Sequence, residues 1–192
     1  MKKIKIKSSY DDLTVEDFIM IREILTTDSM VDKKFHIISA LSDLTFEEVR
    51  ELPVSVVKVL ERELKYLEEL PENVPVKDSY EINGKVFYPV KNIPDMVSGR
   101  YIDMMYFLEN NPDHFLNLHE MLAIIMSHDN EPYDKYPNSV YYDDMLSMGI
   151  KDAISISLFF YQTFKNCIKC IPDYLSQKEK KEVGLQKDGD GI

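Results

Sequence analysis

Apolar residues recur at intervals of three and four from Phe18 to Leu67, the spacing that gathers them on one face of an α-helix. The pattern predicts a helix over Thr14 to Leu25, with Thr14 and Asp17 as a capping pair and Phe18, Ile21, Ile24 and Leu25 as its stripe. A second helix is expected from Ser29 to Leu41, capped by Asp28, with Val31, Phe35, Ile38 and Leu41 facing inward. In Leu44-Thr45-Phe46-Glu47-Glu48-Val49, Thr45 and Glu48 can exchange hydrogen bonds as a capping box, and Leu44 can pack on Val49 as a hydrophobic staple. Pro53 ends that short helix and suits the start of the next, Val54 to Leu70, where Val57, Leu60, Leu64 and Leu67 form a narrow seam.

After the linker Pro71 to Lys77 the period changes. Tyr80 to Tyr88 reads as a β-hairpin, because Asn83-Gly84 is the preferred pair for a turn that needs positive φ twice. With that tip, Ile82 faces Lys85, Glu81 faces Val86 and Tyr80 faces Phe87. An isolated hairpin is marginal in water. This one must lean on helices or join a sheet, with the alternating Lys3-Ile4-Lys5-Ile6-Lys7 or with another subunit as candidate strands.

Lys91 to Val97 leads into Ser98 to Ser127, the segment around which the rest is expected to be organised. Ser98 is placed to cap a helix carrying Ile102, Met105, Tyr106 and Leu108, and Asn110-Asn111-Pro112-Asp113 breaks it. Leu118, Met121, Leu122, Ile124, Ile125 and Met126 make the next helix apolar around most of its circumference, as in a buried helix. His128 to Asn138 is a polar loop; Ser139 is placed to cap a short helix through Leu146, with Gly149 as its stop. Lys151 to Cys170 is the last helix, with Ile154, Leu158, Tyr161, Phe164 and Ile168 on one face and Phe159 and Phe160 widening it.

The expected fold is therefore mainly α, with about seven helices, one small β-hairpin and only minor α+β character. Residues 1–12 are an N-terminal arm or edge strand, 13–175 a single mainly helical domain containing the hairpin at 79–90, and 176–192 a flexible charged tail.

Charge narrows the partners. The net charge of −11 opposes broad nucleic-acid binding, which needs a positive surface to displace counterions from phosphates. It equally opposes adhesion to anionic lipid. No apolar run approaches the roughly 20 residues a spanning helix needs, so neither nucleic acid nor membrane is an expected partner and the product is expected to be soluble.

Candidate chemistry is sparse. His119-Glu120 opens like a zinc-peptidase motif, but the position one turn later is Ala123. His114, His119 and His128 share no ligating spacing, so no metal is expected there. Cys167-Ile168-Lys169-Cys170 lies at a helix C-terminus, where the dipole opposes a thiolate; two packed cysteines is the better reading. Asp188 to Ile192 looks like half a calcium loop without its bidentate glutamate. Asp143-Asp144 has no nucleophile beside it in sequence, and no phosphate loop, serine elbow or dinucleotide fingerprint occurs. No cofactor is expected and no catalytic residue is assigned.

Aromatic residues are more informative. Tyr133, Tyr136, Tyr141 and Tyr142 cluster in and after a proline-bearing loop. Tyrosine buries area while keeping a polar tip, so these four, with Tyr80 and Phe87 of the hairpin, are candidate interface residues. The alternative is that the loop tyrosines pack under their own loop. The Phe159, Phe160, Tyr161 and Phe164 stripe reads as core.

Five segments carry a resemblance: Leu13 to Leu25 (LTVEDFIMIREIL), Ile82 to Val90 (INGKVFYPV), Ser98 to Met104 (SGRYIDM), Leu118 to Met126 (LHEMLAIIM) and Ser157 to Tyr161 (SLFFY). In this order they resemble small proteins of the structural gene modules of tailed bacteriophages of gut Bacteroides-type bacteria, the crAss-like phages. The resemblance implies a non-enzymatic virion or assembly role in the head–tail connector or tail, assembled in the host cytoplasm. The implied partners are other phage structural proteins, in a homo-oligomeric ring or a hetero-assembly. A soluble tail assembly chaperone absent from the mature virion is the alternative within this class. A small hydrolase or metal-dependent enzyme with an unrecognised site is the alternative outside it, and predicts a deep polar pocket of converging carboxylates and histidines.

Overall fold

A computed structural model of the protein describes residues 4–26, 30–93, 96–128 and 137–165, with the side chains of residues 30 and 31 left aside. In chain order the elements are α1 (Val15–Thr26), α2 (Met30–Ala40), α3 (Phe46–Arg50), α4 (Val54–Glu63), β1 (Tyr80–Ile82), β2 (Lys85–Pro89), α5 (Ser98–Asn110), α6 (Leu118–Ile125), β3 (Met126–His128) and α7 (Tyr142–Leu146). A further helix, α8, runs over residues 150–165. The fold is mainly α with a small antiparallel sheet in the order β1-β2-β3.

Local chemistry sets several boundaries. The Asp17 carboxylate accepts from the Thr14 backbone N–H (2.9 Å) and hydroxyl (3.0 Å), and Thr14 Oγ1 accepts from the Asp17 N–H (3.3 Å). The Thr45–Glu48 capping box is complete, at 3.2 and 2.8 Å. Asn83 and Gly84 hold φ of 51° and 75°, and the hairpin pairs Tyr80 with Phe87, Glu81 with Val86 and Ile82 with Lys85. That is the register the turn residues demanded.

The third strand corrects the sequence reading. Met126 leaves α6 and begins β3, pairing with Pro89, while Ser127 pairs with Tyr88 and His128 with Phe87. The hairpin thus gains a third strand from within the chain. The N-terminal segment pairs elsewhere: Ile6 bridges Ser42, Lys7 N–H donates to the Leu41 carbonyl (2.9 Å) and Asp43 N–H to the Lys5 carbonyl (3.2 Å). Lys7 Nζ then reaches the buried Asp17 carboxylate at 2.6 and 2.7 Å, tying the arm to α1.

Other expectations shift. The Asp28 cap lies outside the described residues. α4 stops at Glu63 and continues as a 3-10 turn, Lys65–Glu68, so the predicted long helix is shorter. Ser98 opens α5 as its first helical residue, preceded by Val97, and makes no capping bond. A 3-10 turn, Asn138–Tyr141, occupies the predicted start of α7, which also has no side-chain cap. Gly149 pairs with Thr14 in an isolated bridge, and the flanking backbone bonds Val15 to Met148 (2.8 Å) and Ile150 to Leu13 (3.0 Å). Along α8 the buried face is Ala153, Ile154, Ile156, Phe160 and Phe164, whereas Leu158, Phe159 and Tyr161 are exposed. The buried face shares Ile154, Phe160 and Phe164 with the expected one but is rotated from it, because an apolar run around most of a helix does not state which side is covered.

α6 is the hub of the main core. Leu118, Met121, Leu122, Ala123, Ile124 and Ile125 are all buried, packed with residues of α1, α5, α7, α8 and the sheet. At the end of α6 the buried Arg100 of α5 donates from Nη1 to the carbonyls of Ile124 and of Met126 (3.0 Å), and from Nη2 to Ser127 Oγ (3.1 Å). A cation there complements the helix C-terminus and satisfies carbonyls at the helix-to-strand change. A smaller cluster, Ile38, Val49 and Leu60 with Phe35, Leu44, Leu52, Val56 and Val57, joins α2, α3 and α4. Ile6 and Leu64 touch both clusters.

Candidate functional site

The described aromatic residues of the hairpin and of the start of α7 differ in burial. Tyr80 and Phe87 are buried in the main core. Tyr80 Oη accepts from the Lys77 N–H at 2.8 Å, so its polar tip is used internally, and burial raises the phenol's pKa. Tyr141 packs edge-on against Phe87 at 5.7 Å and lies 5.8 Å from His128, which in turn sits 5.3 Å from Phe87. Tyr142 is half-buried, edge-on to His119 at 5.2 Å. Tyr141 and Tyr142 thus each have a ring neighbour within the chain while remaining partly exposed. Tyr133, Tyr136, Cys167, Cys170 and the acidic end from Asp188 lie outside the described residues.

Asp144 is buried, and accepts from Lys85 Nζ at 2.6 Å and from Asn83 Nδ2 at 3.1 Å, anchoring the hairpin tip to α7. His119 meets Tyr142, His128 meets Phe87, and His114 lies in a recess of about 410 Å³ with Phe115, Leu118 and Tyr161. Among the described residues no three His, Cys, Asp or Glu side chains are grouped to hold a metal ion. A polar recess of about 390 Å³ beside the hairpin contains Lys77, Tyr80, Asn83, Ser147 and Asp152, with neither histidine nor cysteine in its lining. Lys77 Nζ donates to Asp152 at 2.9 Å, and that bond raises the lysine pKa. Among the described residues no helix is long and apolar enough to cross a membrane.

An open groove of about 820 Å³ is lined by residues of α1, α2, α4 and the turn that follows α4. Its floor is apolar: Ile21 and Leu25 come from α1, Ile37 and Ile38 from α2, and Leu64 and Leu67 from the turn that ends α4. Leu25 is 49% exposed there although it belongs to the apolar stripe of α1. The rim carries Lys34, Lys58, Arg62 and Lys65 against Glu61 and Glu68. Lys34 holds Glu61 at 3.1 Å. Lys58, Arg62 and Lys65 are exposed and, among the described residues, have no carboxylate within ion-pair distance. Three uncompensated cations thus border apolar surface in a chain of net charge −11.

The groove can take an apolar side-chain stripe flanked by carboxylates. It escaped the sequence reading because its walls come from three helices separated by loops. One signal was available: Lys58, Arg62 and Lys65 follow at intervals of four and three, a basic line along a helix in an otherwise acidic protein.

Comparison of this mainly helical chain with protein-family models, with curated proteins and with solved structures gives no match.

Proposed function

We propose that the chain is a non-enzymatic assembly protein of a tailed bacteriophage, placed in the head–tail connector or tail, and that it acts by binding other structural proteins. The observation that carries the binding role is the groove. Leu25 remains half exposed at an apolar floor, and Lys58, Arg62 and Lys65, which have no carboxylate partner among the described residues, stand around it. Contiguous apolar surface with a polar rim is the ordinary anatomy of a protein-binding site. The phage assignment rests on the resemblance of the five sequence segments.

The test is affinity capture of the tagged chain from phage-infected cells, beside a Lys58→Glu/Arg62→Glu variant. The reading expects one or more structural proteins of the phage to be retained by the native chain and lost from the variant. Capture of none by the native chain overturns it. Mass spectrometry of purified particles then separates a virion component from a chaperone left behind in the host.

A further inference from the structure

The outward face of α5 has the chemistry the groove lacks. Arg100, Met104 and Phe107 turn into the core, and the opposite side of the helix presents Ile102 and Tyr106, 63% and 69% exposed. These two stand one turn apart, the spacing of anchor residues on a helix that docks in a groove. The charges on that face are Asp103 and Glu109, both exposed, and the helix's single basic residue is the buried Arg100. Asn138 Nδ2 bonds Asp103 at 3.3 Å, drawing alongside it the 3-10 turn that carries the exposed Val140.

We propose that this face of α5 seats in the α1–α2–α4 groove of a second copy of the chain, in a head-to-tail contact. The proposal rests on reading the groove as a protein-binding surface and names its occupant. Ile102 and Tyr106 cover the apolar floor, while Asp103 and Glu109 face Lys58, Arg62 and Lys65. The axial spans are comparable: six residues from Asp103 to Glu109 rise about 9 Å, and Lys58 to Lys65, whose last steps enter the 3-10 turn, about 11–12 Å. Charge complementarity also selects the register. Acidic surface dominates this protein and repels itself, so the basic rim is the place where an acidic helix of another copy is drawn in. The two surfaces are different patches of one molecule. Their contact is therefore heterologous, and it closes into a ring or extends as a filament according to the rotation between copies.

The experiment is sedimentation velocity of the full chain over a concentration series at low and high salt. The native protein is expected to self-associate, less so at high salt. Lys58→Glu/Arg62→Glu should weaken association at least about tenfold, and Asp103→Lys/Glu109→Lys should do the same. All four side chains are exposed, and far-UV melting curves serve to verify that both variants remain folded. Mixing the two variants restores complementarity across the contact, so association should return in the mixture and in neither variant alone. A chain that stays monomeric at every concentration overturns the proposal, as does association indifferent to both reversals. If the chain is monomeric yet the groove variant alone loses a captured phage protein, self-assembly falls and an acidic helix of that protein takes its place, with the assembly role intact.

Discussion

Lys85 Nζ stands 2.6 Å from the Asp144 carboxylate, and this contact joins the hairpin tip to α7. The two partners are unequal. The Asp144 side chain is 6% exposed and Lys85 42%. Removing the lysine leaves a buried carboxylate held by Asn83 alone, whereas removing the carboxylate leaves an ammonium that can turn to water. Lys85→Ala should therefore destabilise by about 3 kcal/mol and Asp144→Asn by about 1–2 kcal/mol. Urea unfolding of both variants checks the order, and equal effects would show that Lys85 contributes no special compensation.

Leu122 is fully buried in α6, while Leu158 is exposed on α8. Leu122→Ala should cost about 2–5 kcal/mol, because the lost methyl groups leave a cavity that the hub cannot fill. Leu158→Ala should stay within about 1 kcal/mol. Both residues belong to predicted apolar stripes, so comparing their unfolding midpoints tests which face of α8 is covered.

Arg100 donates to two main-chain carbonyls and a hydroxyl from a fixed planar fork, at the point where α6 becomes β3. A lysine ammonium is a compact charge and cannot reproduce that geometry. Arg100→Lys should therefore recover little of the stability lost in Arg100→Ala. Amide hydrogen exchange at Met126 to His128 should accelerate in both variants, and full protection in Arg100→Lys would refute a role for the fork.

Burial lowers the pKa of His119 from its ordinary 6.5, and the nearby Glu120 opposes that shift without cancelling it. The unfolded chain thus takes up this proton at higher pH than the folded one. Stability from neutral His119 is complete above 6.5 and declines as pH falls from there through the folded pKa. His119→Gln should flatten the dependence of unfolding free energy on pH between about 7 and 5 relative to the native chain. Proton NMR should place the His119 midpoint below 6.5; a midpoint above it contradicts the burial argument.

The elements legible in the sequence are those fixed by neighbours along the chain. Asn83-Gly84 dictated the hairpin register, since few other pairs accept positive φ twice. Thr14 with Asp17, and Thr45 with Glu48, marked helix starts within a single turn of backbone. The apolar circumference of α6 announced its burial. β3 was hidden because Met126 continues the apolar run of α6, and Arg100 and the β2 edge, both distant in sequence, meet the chain where it changes.

The placement of the tyrosines and of the groove is decided by contacts distant in sequence. Tyr80, Tyr141 and Tyr142 look alike in sequence whether they face a partner or a neighbouring element. Their contacts with Lys77, Phe87 and His119 are visible only in the tertiary structure. The groove draws its lining from α1, α2 and α4, a juxtaposition of separate helices that no local pattern carries. Short-range periodicity determines what a segment becomes, since backbone hydrogen bonding and capping act over a few residues. Which faces are then covered is determined by contacts across long stretches of chain, and those are settled only when all the elements compete for the same core.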